Sequence, residues 1–213
     1  MGAGIFYYKA LVDAHLALGL SPCILMVHAD VRRVMKHAAA READPLAQYL
    51  AELLGQLARG GAEIASIPAF SPQICAAELA AITPLPLVSL LDAISAEVSR
   101  RKLLRVALFG ARVTMETQMF GRLQDVEVVT ARPEEADRIA AIYGRVVEEA
   151  RASDEDYNQL RSLAHTLIDR EKLDAIIFAG TDLAFVFNPE NTDFPHVDGA
   201  RVHIAAIMSE LLR

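Results

Sequence analysis

Tryptophan is absent, cysteine occurs only twice (Cys23 and Cys75), and aromatic residues make up 6% of the 213 positions. Nothing approaches the roughly 18–20 uninterrupted apolar residues that a membrane span needs. No CxxC, no HExxH and no clustered His/Cys spacing occurs, so the usual zinc-binding patterns are missing and no metal or cofactor is expected. Positive charge is also short: 21 Lys and Arg against 28 Asp and Glu leave a formal charge of −7. Such a chain offers no basic surface for nucleic acid or an anionic membrane. It can still hold a small anion at a local positive point such as a helix N-terminus. The first residues lack the basic-then-apolar form of an export signal. That predicts a cytoplasmic location, where two sparse cysteines stay reduced.

What is present is alternation. Short apolar runs and longer amphipathic segments follow one another, the pattern of βαβ units and an α/β fold. Helices are expected over 6–18, 44–59, 72–82 and 92–101, with Gly60-Gly61 stopping the second. Strands are expected at 21–27, 64–67 and 86–89. A second set follows: strands at 105–109, 126–129 and 175–178, helices opening at Pro133 and after the N-cap Ser153, and a last helix at 199–212. The division implied is an N-terminal domain of residues 1–97 plus 199–213 and a C-terminal domain of 98–198. The two are pseudo-symmetric parallel-sheet units with a cleft between them. A helix opens almost at once, so the first half has one strand fewer than its repeat requires. Either the repeat is imperfect, or the sequence begins inside its first strand–turn–helix unit.

Two turns stand out. Ile67-Pro-Ala-Phe-Ser-Pro-Gln73 follows one apolar run and Phe178-Ala-Gly-Thr-Asp182 follows another, each with a further run and an acid (Asp92, Asp198) behind it. Ligands of open α/β sheets lie at the carboxyl ends of the strands, so both turns are expected to face one cleft. Ser71 and Thr181 occupy turn-to-helix positions, where a hydroxyl serves either as an N-cap or as a carboxylate contact. Asp182 is the best acid in this cleft, with helix capping as its alternative role. His28, at the end of the expected strand 21–27, is the one conventional base near the first turn, and also reads as a solvated bystander. Arg32, Arg33 and Lys36 follow it, as either a carboxylate-binding group or a solvated face.

Gly110-Ala-Arg-Val-Thr-Met-Glu-Thr-Gln-Met-Phe-Gly-Arg-Leu123 resembles the G-T-x-x-T-M-x-x-x-F-Y stretch of the aspartate/glutamate racemase family, cofactor-independent amino-acid racemases. Asp198-Gly-Ala-Arg-Val-His203, Ile142-Tyr143, and Gly2-Ala-Gly4 through Tyr7-Tyr8-Lys9 are similar to other segments of that family. The resemblance spans essentially the whole chain. It implies a small carboxylate or amino-acid-like ligand, no cofactor, and an isomerase chemistry; a homodimer is compatible with it. It also implies substrate contacts at Ser71, Gln73, Phe70, Gly180, Thr181, Tyr143 and Thr114, with His203 beneath the cleft. The family sets one thiol in C-N-T-x-H and a second in G-C-T-E, to remove and return the α-proton from opposite faces. Here those positions are Ala69 and Gly180. Gln73 stands in place of the family's histidine, Asp182 in place of its glutamate, and Val147 in place of a lysine. Cys23 and Cys75 sit out of register with the missing thiols. Racemisation by two thiols is therefore not expected. A binder without catalysis, or a decarboxylase- or lyase-type relative using Asp182 or His28, remains the alternative.

Overall fold

The computed structural model describes residues 2–213; Met1 of the expected first domain lies outside them. The first half runs α1 (Gly2–Ala17), a stretch over 20–30 without helix or strand, α2 (Val31–Ala40), α3 (Ala43–Arg59), β1 (Ala65–Ser66), a 3-10 turn (Ser71–Cys75), α4 (Ala76–Ile82), β2 (Leu87–Val88) and α5 (Leu90–Arg100). The second half runs β3 (Arg105–Gly110), α6 (Arg112–Glu116), a 3-10 turn (Met119–Gly121), β4 (Glu127–Val128), α7 (Pro133–Glu149) and α8 (Asp154–Glu171). It closes with β5 (Ala175–Ala179), a 3-10 turn (Thr181–Phe185), β6 (His196–Asp198) and α9 (Gly199–Leu211). The architecture is α/β with parallel sheets, as the alternating pattern implied.

All strand pairing is parallel. Among the described residues β1 pairs with β2 alone, while the second sheet has the order β4-β3-β5-β6. The two halves repeat down to single hydrogen bonds: Ala65 N–H donates to the Pro86 carbonyl, and Ile176 N–H donates to that of Pro195. Strand β5 is buried at every residue, which is why it reads as an unbroken apolar run and not as an alternating one. Its side chains feed two cores, one under α7 and α8 through Ile176 and Phe178, the other under α5 through Ile177 and Ala179. A third core joins α3, α4 and β1 around Leu46, Leu50 and Cys75.

Local chemistry explains most boundaries. Ser153 caps α8 by accepting from Asp156 N–H, and Asp156 returns the bond to Ser153 N–H, a reciprocal capping box. Asp198 caps α9 by accepting from Arg201 N–H, and Ser89 caps α5 by accepting from Asp92 N–H. Helix α9 crosses back to the first half, where Ala200, Ile204 and Ile207 pack with Tyr7.

Two expectations fail. The strand expected at 21–27 does not form: the stretch pairs with no strand among the described residues. An apolar run becomes a strand only where a neighbour takes its backbone hydrogen bonds. Helix α2 was not expected; it begins at Asp30, whose side chain accepts from the N–H groups of Arg32 and Arg33, and its signal was that single N-cap aspartate.

Candidate functional site

The two turns do meet. Each leaves the carboxyl end of its strand and enters a 3-10 turn, and the Thr181 hydroxyl donates to the Pro68 carbonyl at 3.1 Å. That bond spans the two halves and fixes the turns side by side. Ser71 opens the first 3-10 turn and is half-buried. The Gln73 amide nitrogen donates to the Ala69 carbonyl at 2.9 Å, closing the loop on itself and leaving its amide oxygen unbonded among the described residues. Phe70, expected in the pocket wall, places its ring in the core with Leu90, Leu91 and Ile94. There it meets Gly199, where an added Cβ would lie 2.9 Å from the Phe70 ring. The aromatic side chain thus belongs to the fold beneath the turn.

The three residues of the second turn have separate partners. At Gly180 an added Cβ would lie 2.4 and 2.6 Å from ring carbons of Tyr143 and 3.0 Å from its hydroxyl. The tyrosine ring therefore occupies the space that a thiol side chain would need. Burial, and then the charge of Asp182, push the Tyr143 phenol far above its ordinary value, so it is a neutral hydrogen-bond donor. Thr181 holds Pro68. Asp182 accepts from Ala3 N–H at 3.0 Å, which anchors the first turn of α1 through a favourable carboxylate–helix contact. Its burial pushes the carboxyl above its ordinary value, partly opposed by the Ala3 bond.

Thr114, on α6, is fully buried and its hydroxyl has no hydrogen-bond partner among the described residues. A buried hydroxyl normally finds one, so this atom is the clearest unspent polar group in the region that resembles the racemases. The segment after it is strained. Gln118, Met119 and Phe120 all adopt left-handed backbone with φ of 50–57°, a conformation that non-glycine residues rarely take consecutively.

His28 makes no hydrogen bond with this cluster among the described residues; it is exposed on the stretch before α2. Arg32, Arg33 and Lys36 are exposed too, and Arg33 lies over the Tyr49 ring at 4.1 Å. Val147 is half-buried on α7. Both cysteines are free. Cys75 is buried, its thiol donates to the Pro72 carbonyl at 3.1 Å, and burial followed by the nearby Glu78 pushes it up to about 11. A thiol so protonated is a poor nucleophile. Cys23 is exposed on the unpaired stretch.

Beneath the turns, His203 is wholly buried between two partners: its Nδ1 lies 3.1 Å from the Tyr7 hydroxyl and its Nε2 2.9 Å from the Val88 carbonyl. A carbonyl only accepts, so Nε2 carries the proton and Nδ1 accepts from Tyr7. Burial pushes His203 down to about 4. This link joins α1, β2 and α9. Tyr7 was not singled out from the sequence; its only signal was its place in the Tyr7-Tyr8 pair. Asp198 and Arg201 close this side, with Arg201 Nε 3.0 Å from Asp198 Oδ2. That nitrogen satisfies the ion-pair distance but not hydrogen-bond geometry, so it counts as a charge contact only.

Two cavities lie elsewhere. The larger, about 670 Å³, is an open groove between α7 and α8 lined by residues including Arg138, Glu155 and Gln159. The smaller, about 20 Å³, lies against Leu108, Met115 and Val128. Among the described residues no three His, Cys, Asp or Glu side chains are grouped to hold a metal, and no helix is long and apolar enough to cross a membrane.

Known proteins agree with this architecture. A Yersinia pestis protein described as a candidate Asp/Glu racemase superposes with a TM-score of 0.83 at 22% identity, over 99% of this chain and 94% of that one. An aspartate racemase homologue from Pyrococcus horikoshii gives 0.81 at 18% identity with the same coverage. The Picrophilus torridus aspartate racemase gives 0.72 at 13% identity, over 98% and 89%. At such identities the likeness shows the fold. No curated protein sequence matches. The Asp/Glu/hydantoin racemase family profile matches residues 2–207, and the chain belongs to that family.

Proposed function

We propose that this protein binds a small carboxylate, amino-acid-like ligand between the two turns and does not carry out two-thiol racemisation. The observation that supports this reading is the state of the two thiol positions. Ala69 has no ionisable side chain, and at Gly180 the Tyr143 ring fills the space a thiol would take. Cys75 is a buried, protonated thiol and Cys23 sits on a separate exposed stretch, so neither substitutes. The polar groups left for a ligand are the Ser71 hydroxyl and the unpaired Thr114 hydroxyl, with the Tyr143 phenol, which also meets Thr181 and the Asp182 backbone, all neutral donors to a carboxylate.

A racemase must remove the α-proton and return it from the opposite face, which needs two positioned acid–base groups. Exchange of the ligand α-hydrogen in heavy water tests this. The protein is incubated with a panel of amino and hydroxy acids, and binding is followed by calorimetry. Binding without exchange or inversion is the expected result; inversion of any panel member would overturn the reading.

One observation favours a second reading. Asp182 is a buried carboxyl pushed upward, the kind of group that serves as a proton acceptor near neutral pH. A single-base enzyme would exchange the α-hydrogen with retention. Loss of that exchange in Asp182→Asn, with binding unchanged, would assign the base.

A further inference from the structure

One turn of the second half winds against the natural hand of the chain. Gln118, Met119, Phe120 and Gly121 adopt left-handed backbone in succession, with φ of 50°, 57°, 56° and 69°. Gly121 N–H donates to the Thr117 carbonyl at 3.1 Å, which closes one turn of left-handed helix. Three of its residues are not glycine, and each is disfavoured there by its Cβ. Elsewhere among the described residues left-handed positions stand singly, as at the helix ends Arg41, Ala150 and Lys172.

Local sequence favours the opposite hand. Met115, Met119 and Leu123 recur every four residues, and Glu116, Gln118 and Arg122 are good helix formers, yet α6 stops at Glu116. The path of the chain also suits a longer helix. Glu127 of β4 pairs with Arg105 at the start of β3, so the chain must travel back along that six-residue strand, ~20 Å. Continued right-handed through Leu123, α6 would rise ~18 Å along this path. What holds the left-handed turn comes from the first half. Met119 is wholly buried in one core with Phe70, Leu90 and Leu91, and Phe120 and Leu123 pack against it. The Ser95 hydroxyl donates to the Arg122 carbonyl at 3.1 Å, and Arg122 Nη1 lies 3.2 Å from Asp92 Oδ1. Gln118 and Gly121 are exposed. Local preference and tertiary packing are thus opposed in this segment, a conflict that gathers at functional or strained sites.

We propose that residues 117–123 are a two-state clasp between the halves. In one state the left-handed turn seats Met119 in the core with Phe70 and α5. In the other, α6 runs on right-handed and Met119 leaves that core. Phe70 stands at the head of the first turn, and its carbonyl accepts from Gln73 N–H at 2.8 Å. Release of Met119 therefore loosens the segment from Phe70 to Gln73, which contains Ser71. A ligand that prefers one arrangement of this turn shifts the clasp by its difference in affinity for the two states. The clasp itself stands apart from the ligand reading above; only its effect on a ligand at Ser71 rests on that reading.

The test uses the full chain, without ligand, and two exposed positions. At Gly121 an added Cβ meets nothing within 4 Å, so Gly121→Ala breaks no contact and acts only against the left-handed backbone. Gln118→Gly acts in reverse, because glycine takes that backbone freely. Each substitution should shift the ratio of the two states about 5- to 30-fold. Backbone carbon chemical shifts and relaxation dispersion, which reports μs–ms exchange, are read at residues 117–122 and 70–73. In Gly121→Ala a state with helical shifts at 117–122 should be populated above about 1%. Phe70 to Gln73 should exchange with the same rate and population, and Gln118→Gly should quench the exchange at both places. No helical state in Gly121→Ala overturns the proposal. Exchange at 117–122 that leaves 70–73 unmoved, or unfolding of Gly121→Ala in place of helix extension, overturns it too.

Discussion

Gly180→Cys restores the residue type that the family places in the second turn, and the structure predicts that it fails. The backbone at Gly180 is extended, with φ −156° and ψ 116°, so a side chain meets no conformational penalty there. The penalty is steric. A Cβ would stand 2.4 Å from a Tyr143 ring carbon, against roughly 3.5–4.0 Å for relaxed carbon–carbon contact. The ring must therefore give way by more than about 1 Å. Its helix, α7, is held in place by Ile139, Ile142 and Val146, all in the core under β5. Overpacking of this kind costs about 1–3 kcal/mol, or roughly 2–12 °C of melting temperature for a protein this size. Thermal and urea unfolding of Gly180→Cys, Tyr143→Ala and the double variant form the assay. The double variant should be more stable than the sum of the single effects predicts, by about 1–3 kcal/mol. Additive behaviour, or an unaffected Gly180→Cys, would refute the reasoning that Tyr143 occupies the thiol's place. The same logic predicts no racemisation from Ala69→Cys/Gly180→Cys while Tyr143 remains.

His203 predicts a pH effect with a definite sign: its folded value is pushed down to about 4 from an unfolded value near 6.5. The stability it contributes is complete above about pH 6.5 and is lost as pH falls toward 4, by up to about 3 kcal/mol. Denaturant titrations at pH 7, 5.5 and 4.5 should show this loss, and His203→Gln should flatten it. Asp182→Asn keeps an acceptor for Ala3 N–H and removes a buried charge, so at pH 7 it should be neutral or slightly stabilising, whereas Asp182→Ala should cost about 1–2 kcal/mol; a large loss in the asparagine variant would contradict this. Thr114→Val removes a buried hydroxyl that bonds to nothing, so unfolding should show no loss of stability, while calorimetry should show weaker carboxylate binding if that hydroxyl serves the ligand. Iodoacetamide on the native protein should label Cys23 and spare Cys75, which mass spectrometry of the peptides would show; rapid labelling of Cys75 would contradict its burial.

Legibility in the sequence followed the range of the physics. Helices and buried strands are written locally: Ser153 with Asp156 fixes the start of α8, Gly60-Gly61 lies at the end of α3, and Ala175 to Phe178 can only be a strand covered on both faces. The meeting of the two turns was legible because each lies at the carboxyl end of a parallel strand in its own half, where α/β units open their crevices, and the Thr181–Pro68 bond joins the two. What could not be read was which partner each polar atom would take. Gln73 has the composition of a ligand contact, and its amide nitrogen also bonds Ala69 four residues back. Phe70 has the position of a pocket wall, yet its ring fills the notch at Gly199, 129 residues away in sequence. Asp182 is claimed by Ala3, from the opposite end of the chain. The failed strand at 21–27 has the same cause. Its apolar run is a necessary condition for a strand, but strand formation is decided by the neighbour, and the neighbour's position is a property of the sheet. For the same reason Ala69 and Gly180 say more together with Tyr143 than alone. A missing cysteine alone could be reversed by one substitution; at Gly180 the space a side chain needs is taken by the Tyr143 ring on another helix, so a single substitution there must also displace that ring.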